Sequence, residues 1–345
     1  MKRYFFLWAL AYLVLSCQSE SKTHLYDSVS IKTVFQDSVN IRAIEFLDSN
    51  TLAFAGSRGI YGTVDVTTNK VRTNIMVHDS VTPEFRAVAH TKTDFFMLSV
   101  VDPALLYKTG DNGQMELVYK EEGEGVFYDA MKFWNDKEGI AVGDTVEGCL
   151  SIIITRDGGR TWVKTTCNEL PKSIEREGAF AASNTNIELI GNKAWIATTS
   201  GRILYSDDKG NTWSGIKTPI ISEKSTQGIY SIDFYNENLG FGIGGDFTEP
   251  EANISNKIRT RDGGKSWNVI ADNKAPGYKS CVQYIPNSGG EDLVAVGFTG
   301  IAYSNDGDSS SWKTLSEEGF YTIRFLNDSV AYAAGRNRIS KLTFK

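Results

Sequence analysis

A short motif that recurs four times constrains the fold of this chain more than any other feature of its sequence. Each copy has a Ser or Thr, an Asp two residues later, a Gly, a second Ser or Thr and then a Trp, with one extra residue in the last copy. The four tryptophans recur at intervals of 45 to 54 residues and are Trp162, Trp213, Trp267 and Trp312. Because blades of β-propellers have repeats of this length, the 345 residues are expected to form one repeat array.

The residue types of this motif point to a folding role. The Asp carboxylate can accept backbone N–H bonds within a tight turn, and Gly supplies the positive φ that closes the turn. The Trp places a large ring between neighbouring sheets. We call the motif an Asp box, and we do not expect its aspartates to be catalytic because the turn already uses their oxygen atoms.

The elements around each box also repeat and predict an all-β, seven-bladed β-propeller. An inner strand is followed by a Gly- or Ala-rich strand, a third strand that ends at the Asp box, and a fourth strand after the Trp. The predicted inner strands start near Arg42, Arg86, Asp129, Phe180, Tyr230, Ser280 and Tyr321. The last unit has three strands, and residues 29–35 alternate like a strand. We therefore expect this N-terminal strand to complete the last blade and close the ring.

The N-terminus has the features of a secretory signal. Lys2 and Arg3 precede an uncharged run from Tyr4 to Leu15, which is too short to span a membrane as a helix. A small residue then precedes Cys17, as in a bacterial lipobox. We predict a signal peptide at residues 1–16, lipidation of Cys17, a tether at residues 17–27, a propeller at residues 28–345, and a location in the cell envelope. Ordinary cleavage nearby, with Cys17 lost or free, is the alternative.

Charge and cysteine content exclude several function classes. The net charge of −6 disfavours binding to nucleic acid, and membrane contact is expected only through the lipid at Cys17. The sequence contains no histidine and cysteine cluster for a metal, and no Gly-x-Gly-x-x-Gly motif for a dinucleotide, so no cofactor is expected. Cys149 and Cys167 flank one hairpin, and the sequence leaves open whether they form a disulfide.

Seven segments carry a resemblance to a known family, namely residues 85–88, 127–134, 139–144, 177–183, 228–231, 242–246 and 277–280. With them the chain resembles the Ycf48/Hcf136-like photosystem II assembly factor group among BNR and WD40/YVTN-type propellers. It is most similar to a bacterial lipoprotein branch whose members are often labelled oxidoreductases. The resemblance implies the propeller fold, but the branch has no settled activity, and nothing in the sequence suggests the chlorophyll-binding partners that the photosystem role implies.

The candidate site lies where the inner strands begin. Aligning the repeats gives Arg42, Arg86, Asp129, Tyr230 and Tyr321 the same first position, at the mouth of the central channel. Insertions at residues 144–148 and 246–256 open on the same face, which suits binding. The candidate residues are Arg42, Arg86, Asp129, Asp144, Glu177, Tyr230, Asp246 and Tyr278. They predict a site for an anionic group, unless Arg42 and Arg86 are neutralised by Asp129 or Glu177.

Two functions fit this pattern. The first is a non-catalytic envelope propeller of the scaffold or assembly-factor type that binds a protein or a glycan. The alternative is a glycoside hydrolase, because Asp-box propellers include glycosidases and the acids Asp129, Asp144, Glu177 and Asp246 could supply a catalytic pair. An enzyme would then be a hydrolase rather than a redox enzyme.

Overall fold

A computed structural model describes residues 25–306 and 310–345, which fold into seven antiparallel sheets arranged as the blades of a propeller. Blade 1 contains β2 (Ala43–Asp48), β3 (Thr51–Ala55), β4 (Ile60–Asp65) and β5 (Val71–Ile75). Blade 2 contains β6 (Phe85–His90), β7 (Phe95–Ser99), β8 (Ala104–Thr109) and β9 (Met115–Glu121). Blade 3 contains β10 (Tyr128–Phe133), β11 (Gly139–Val146), β12 (Cys149–Thr155) and β13 (Val163–Lys164).

The remaining blades follow the same order. Blade 4 contains β14 (Ile187–Ile190), β15 (Lys193–Ala197), β16 (Arg202–Ser206) and β17 (Ser214–Lys217). Blade 5 contains β18 (Ile229–Phe234), β19 (Gly240–Gly244), β20 (Lys257–Thr260) and β21 (Asn268–Val269). Blade 6 contains β22 (Cys281–Tyr284), β23 (Leu293–Gly297), β24 (Gly300–Ser304) and β25 (Lys313–Ser316). Two short 3-10 turns, Ser57–Gly59 and Cys167–Glu169, complete the described elements.

Blade 7 closes the ring as predicted, with strands from both ends of the described chain. It contains β26 (Thr322–Phe325), β27 (Val330–Phe344) and β1 (Val29–Asn40), and β1 pairs antiparallel with β27 from Val29 opposite Phe344 onwards. β27 folds back on itself at Asn337, where φ is +65°, and the Phe344 amide donates to the Ser329 carbonyl oxygen at 2.9 Å. The blade therefore has four-strand width, as the other six do.

Packing of the N-terminal segment begins slightly earlier than we expected. Tyr26 is buried against the rings of Tyr303 and Phe344, and its hydroxyl donates to the Asp328 carbonyl oxygen at 2.8 Å. Asp27 forms an ion pair with Lys313. These contacts place the end of the predicted tether on the body of the propeller. The predicted signal peptide and Cys17 lie outside the described residues.

The Asp boxes form turns in which the carboxylate is fully used. Asp157 Oδ1 accepts bonds from the amides of Arg160 and Thr161, both at 3.0 Å, and Asp157 Oδ2 accepts the Thr161 hydroxyl at 2.8 Å. The indole of Trp162 donates to the Gly159 carbonyl oxygen. Gly159 has a φ of +78°, and a Cβ there would lie 2.2 Å from the ring of Phe96. The box thus requires glycine for both its conformation and its packing.

Seven clusters of buried apolar side chains form the core between the blades, one for each pair of neighbouring blades. Trp162 lies between blades 2 and 3, and Trp267 lies between blades 4 and 5. Apolar side chains on both faces of each sheet explain why the second strands, such as β3, β7 and β23, are nearly continuous hydrophobic runs. Each blade is therefore stabilised mainly by its two neighbours.

The inner strand of blade 4 does not begin at Phe180, and this prediction was wrong. β14 begins at Ile187, and residues 181–186, which we call the plug segment, instead cross the central channel. All six residues are buried, with at most 8% of their surface exposed. Their sequence, Ala-Ala-Ser-Asn-Thr-Asn, is rich in small polar side chains, which can satisfy the backbone groups of the surrounding inner strands.

Hydrogen bonds connect the plug segment to six other blades. Asn184 Nδ2 donates to the Val88 carbonyl oxygen at 2.8 Å in blade 2, and its Oδ1 accepts the Met131 amide at 3.0 Å in blade 3. The other contacts are made by Ala182 with Arg42 of blade 1, by Thr185 with Ser231 of blade 5, and by Ser183 with Ser280 of blade 6 and Thr322 of blade 7. The plug segment therefore acts as a hub for the ring.

The structure resolves the open question about the cysteines. Cys149 and Cys167 form a disulfide with a Cα–Cα distance of 5.4 Å, whereas Cys281 is buried and free. The insertion at residues 144–148 is an extended hairpin, because β11 continues to Val146, which pairs with Cys149 of β12. The disulfide joins this end of the hairpin to Cys167. Within the described ranges, no group of three or more metal-ligating side chains occurs. No helix in the same ranges has the length and apolar character needed to cross a membrane.

Candidate binding site on the funnel face

The strand pairing explains why the second residue of several inner strands turns towards the channel mouth. In blade 2, Phe85 pairs with Ser99 and Ala87 with Leu98, so that Arg86 is an extra residue in a β-bulge. The same irregularity occurs at Asp129 in blade 3 and at Tyr230 in blade 5. A bulge redirects the side chain of the extra residue. We call this side of the propeller, where the chain enters each inner strand, the funnel face.

Four of the predicted residues meet in one cavity on this face, which we call the funnel cavity. Its volume is about 290 Å³. Its lining consists of Arg42, Arg86, Phe180, Ala181, Ala182, Tyr230, Phe247, Tyr278, Phe298 and Tyr321. Two guanidinium groups and six aromatic rings therefore share a small volume at the centre of the ring.

Arg42 lies at the floor of the funnel cavity with its charge only partly satisfied. Its guanidinium carbon is 4.1 Å from the centre of the Tyr321 ring, and Nη1 donates to the Ala182 carbonyl oxygen at 3.3 Å. Its Nε has no hydrogen-bond partner among the described residues. Burial and, secondly, the positive charge of Arg86 lower the pKa of Arg42. An incoming anion would relieve this repulsion.

Arg86 is paired, but not with the residues that we considered as its neutralising partners. Its Nη2 and Nε both donate to Oε1 of Glu84, at 2.6 and 3.0 Å. Glu177, in contrast, accepts two bonds from Arg202, at 2.6 and 2.9 Å. Asp129 forms no ion pair in the described part of the chain. Of the two arginines of the cavity, Arg86 thus forms an ion pair with Glu84, whereas Arg42 forms no ion pair with a described residue.

The aromatic residues form a connected wall. Phe180 and Tyr230 are stacked with their centroids 3.6 Å apart, and Tyr278 packs edge-on against Tyr230 at 4.8 Å. Phe298 lies 5.2 Å from Tyr278 and, like Phe247, is 45% exposed. Sequence reasoning did not identify Phe180, Phe247 or Phe298 as site residues. Phe247 lies in the predicted insertion and Phe298 in a Gly-rich turn, where an aromatic side chain is a detectable signal.

A second cavity lies beside the first and shares Arg86, Phe180 and Ala181 with it. We call it the blade-3 cavity; its volume is about 510 Å³, and Asp144, Arg176 and Glu177 also line it. Asp144 Oδ1 accepts the Ala179 amide at 3.0 Å, and burial raises the pKa of Asp144. The extended hairpin of blade 3 therefore places one carboxyl group directly on the cavity wall.

Asp129 lies close to this wall and is fully buried. Neither oxygen of its carboxyl group has a hydrogen-bond partner among the described residues. Burial, reinforced by the charge of Asp144, raises the pKa of Asp129 well above its usual value, while Arg86 and the nearby Ala181 amide act in the opposite direction. Ionisation of a buried carboxyl group without an ion pair is costly.

The other two acids are already occupied by structural contacts. Besides Arg202, Glu177 accepts the hydroxyl of Ser200 and the amide of Ile174. Asp246 is buried and accepts the amide and hydroxyl of Thr248, at 2.9 and 2.6 Å, and it lines neither cavity. Asp246 therefore stabilises its own loop. Of the four acids predicted for the site, Asp129 and Asp144 are the two without an ion pair to another described residue.

The chain is similar to known propellers in both structure and sequence. The structure described as "YCF48 bound to D1 peptide" superposes with a TM-score of 0.65 at 12% identity, over 93% of this chain and 96% of that chain. "YCF48 from Cyanidioschyzon merolae" also gives 0.65, at 14% identity over 91% and 98%. Residues 119–225 match the sequence model of the family described as "Photosynthesis system II assembly factor YCF48". The fold is that of a Ycf48-like BNR propeller.

The matched segment of this Ycf48-like propeller includes the parts that depart most from the simple repeat. It runs from the end of blade 2 through blade 4 and contains Asp144, Glu177, Phe180 and the plug segment. WD40 propellers share the architecture more distantly, since "Crystal structure of RRP9 WD40 repeats" superposes with a TM-score of 0.63 at 9% identity over 91% and 97% of the two chains. No curated protein sequence matches the chain.

Proposed function

We propose that this Ycf48-like propeller is a non-catalytic scaffold or assembly factor that binds a protein partner through the funnel cavity. The bound feature is an anionic group of the partner, a carboxylate above all, on a residue with an apolar side chain. The observation that carries the proposal is the pair of guanidinium groups of Arg42 and Arg86, which repel each other at the floor of an aromatic cavity.

The two arginines of the funnel cavity are only partly satisfied by protein groups. Glu84 pairs with Arg86, whereas Arg42 Nε is a donor without a partner among the described residues. A carboxylate placed between the two guanidinium groups accepts charge-assisted bonds and relieves their repulsion. Since Arg42 is partly buried, its bonds to a carboxylate are stronger than those at an open surface.

The aromatic wall favours a protein over a glycan. The ring faces of Phe180 and Tyr230 cover each other, and the exposed rings are the phenyl groups of Phe247 and Phe298. Phenyl groups without hydroxyls suit an aliphatic or aromatic side chain better than the polar edge of a sugar. The neighbour described as bound to a D1 peptide supports a peptide ligand at the level of the fold.

A location in the cell envelope belongs to the same proposal. The signal sequence and the lipobox Cys17 suggest export and lipid anchoring. The disulfide between Cys149 and Cys167 supports this location, because such bonds persist in oxidising compartments. Labelling with a radioactive or clickable fatty acid in the native host, compared between wild type and Cys17→Ser, tests it; equal labelling of both would contradict lipidation at Cys17.

The binding proposal is tested with a library of short peptides that have free C-terminal carboxylates, followed by fluorescence anisotropy of selected binders. We expect peptides with an apolar last residue, and Arg86→Ala should weaken their binding by about 2 kcal/mol, the range of a hydrogen bond to a charged group. Arg86→Lys should restore part of it. The matched control is Arg338→Ala, since Arg338 also pairs with a glutamate at 2.6 Å and lies against an aromatic ring, but outside both cavities. Equal binding by all four proteins would exclude the funnel cavity.

Catalysis is tested separately. Chromogenic aryl glycosides should not be hydrolysed above the background rate, because Glu177 and Asp246 are held in structural contacts. Hydrolysis that disappears in Asp129→Asn or Asp144→Asn would overturn the non-catalytic proposal in favour of a glycosidase.

A further inference from the structure

The blade-3 cavity has features that an anion site at Arg42 and Arg86 does not explain. Arg86 and Phe180 form the boundary between this cavity and the funnel cavity, so one extended ligand can occupy both. Asp144 lies on its wall, and Asp129 is buried directly behind. A ligand that reaches past Arg86 therefore meets the carboxyl group of Asp144.

The charges around the blade-3 cavity are paired, except for these two acids. Arg86 pairs with Glu84 at 2.6 Å, Glu177 with Arg202 at 2.6 Å, and Arg176 with Glu175 at 3.8 Å. Asp144 and Asp129 form no ion pair in the described part of the chain, and both oxygens of Asp129 are also without hydrogen-bond partners. One side of the cavity thus has two carboxyl groups that form no ion pair.

We propose that the blade-3 cavity is a second subsite, in which Asp144 binds a basic side chain of the same protein segment and Asp129 supplies a second negative charge behind it. This inference rests on the proposed function and specifies the partner, which is a segment with a basic residue a few positions before its carboxylate. Burial raises the pKa of both acids, and a lysine ammonium or an arginine guanidinium beside them would favour their ionised forms.

A metal ion fits this cavity less well than a basic side chain. Calcium and magnesium require several oxygen ligands, and the described residues contain no group of three or more metal-ligating side chains. The guanidinium of Arg86, which lines the same cavity, would also repel a divalent cation more strongly than a single positive charge.

The test uses fluorescein-labelled peptides with a free C-terminal carboxylate after leucine, and a lysine placed two to five positions earlier in a Gly/Ser chain. Each is compared with a peptide that has uncharged norleucine instead of lysine, and binding is measured by anisotropy. We expect lysine to tighten binding by about tenfold at one or two spacings, as for a charge-assisted bond in a sheltered site. Asp144→Asn should abolish this difference, and Asp129→Asn should reduce it.

The control variant is Asp136→Asn, because Asp136 also belongs to blade 3 but pairs with Lys92 outside both cavities. Asp129→Asn should melt at the wild-type temperature or above it, since the amide replaces a carboxyl group that has no partner among the described residues. Equal affinity for lysine and norleucine peptides at every spacing would overturn the inference while leaving the carboxylate site intact. Competition by micromolar calcium would also overturn it, and no binding of any peptide would contradict both proposals.

Discussion

At the scale of single residues, the tryptophans of the Asp boxes show how burial sets the cost of a substitution. Trp162 packs at right angles to Phe133 at 5.7 Å and is 7% exposed, whereas Trp213 occupies the same place in its box but is only partly buried. Trp162→Ala should lower the free energy of unfolding by about 3 to 5 kcal/mol, and Trp213→Ala by less. Urea unfolding measures both. Lost peptide binding at unchanged stability would show that the box serves the site instead.

A half-buried acid at the Asp-box end of the channel predicts a pH dependence of stability. Burial, together with the charge of Glu188, raises the pKa of Asp233 to about 7, with Lys132, Arg324 and the Tyr284 amide acting against this shift. The folded chain therefore keeps a proton that the unfolded chain loses near pH 4, so the free energy of unfolding falls as pH rises from about 4 to 7.

Asp233→Asn should make this fall shallower, and urea midpoints between about pH 4 and 7 measure it. The control is Asp65→Asn: the amide of Thr68 lowers the pKa of this exposed acid, so its contribution changes below the chosen pH range. An unchanged slope in Asp233→Asn would show that Asp233 is ionised in the folded protein.

At this scale, the sequence predicted the site residues that occupy equivalent positions in the repeats. Arg42, Arg86 and Tyr230 meet in one cavity because each lies at the start of an inner strand, next to its regularly paired part. Glu84 was missed as the partner of Arg86, since the direction of that side chain depends on a β-bulge that no residue type specifies. Phe298 was missed because exposed aromatic residues are common in loops.

At the scale of elements, the disulfide holds the start of the connection between blades 3 and 4. It joins residues that are 18 apart, at one end of β12 and in the turn Cys167–Glu169. Replacing both cysteines by serine should lower the free energy of unfolding by about 3 kcal/mol, the chain-entropy value for a loop of this length. Wild type in reducing agent should match the double variant, and Cys281→Ala should keep its sensitivity to reduction. Identical stability of wild type with and without reductant would contradict this.

The same connection marks the limit of what repeats can predict. Six inner strands begin within one residue of the expected positions, whereas that of blade 4 begins at Ile187, seven residues after Phe180. The repeat could not place this strand, because residues 170–186 form an insertion without a counterpart in the other blades. The apolar run at residues 178–182 resembles a strand in sequence, but the polar residues that follow it satisfy backbone groups in the channel.

At the scale of the whole molecule, the plug segment should contribute to the stability of every blade. Asn184→Ala leaves the Met131 amide and the Val88 carbonyl oxygen unpaired inside the channel, and we expect a loss of about 2 to 6 kcal/mol from two unsatisfied groups. Asn337→Ala is the control, since Asn337 has a similar φ of +65° in an exposed turn. Calorimetry compares the two, and equal losses would mean that backbone conformation alone explains the effect.

The plug segment also constrains the order in which the chain assembles. Residues 181–186 precede blades 5, 6 and 7 in the sequence, yet they bond to Ser231, Ser280 and Thr322 in those blades. Blades 5, 6 and 7 must therefore pack around the plug segment, which belongs to the first part of the chain. Pairing of β1 with β27 then comes last. Until these strands pair, the edge of β1 is unpaired, and an unpaired strand edge promotes aggregation. The incompletely closed propeller is therefore the stage most exposed to aggregation.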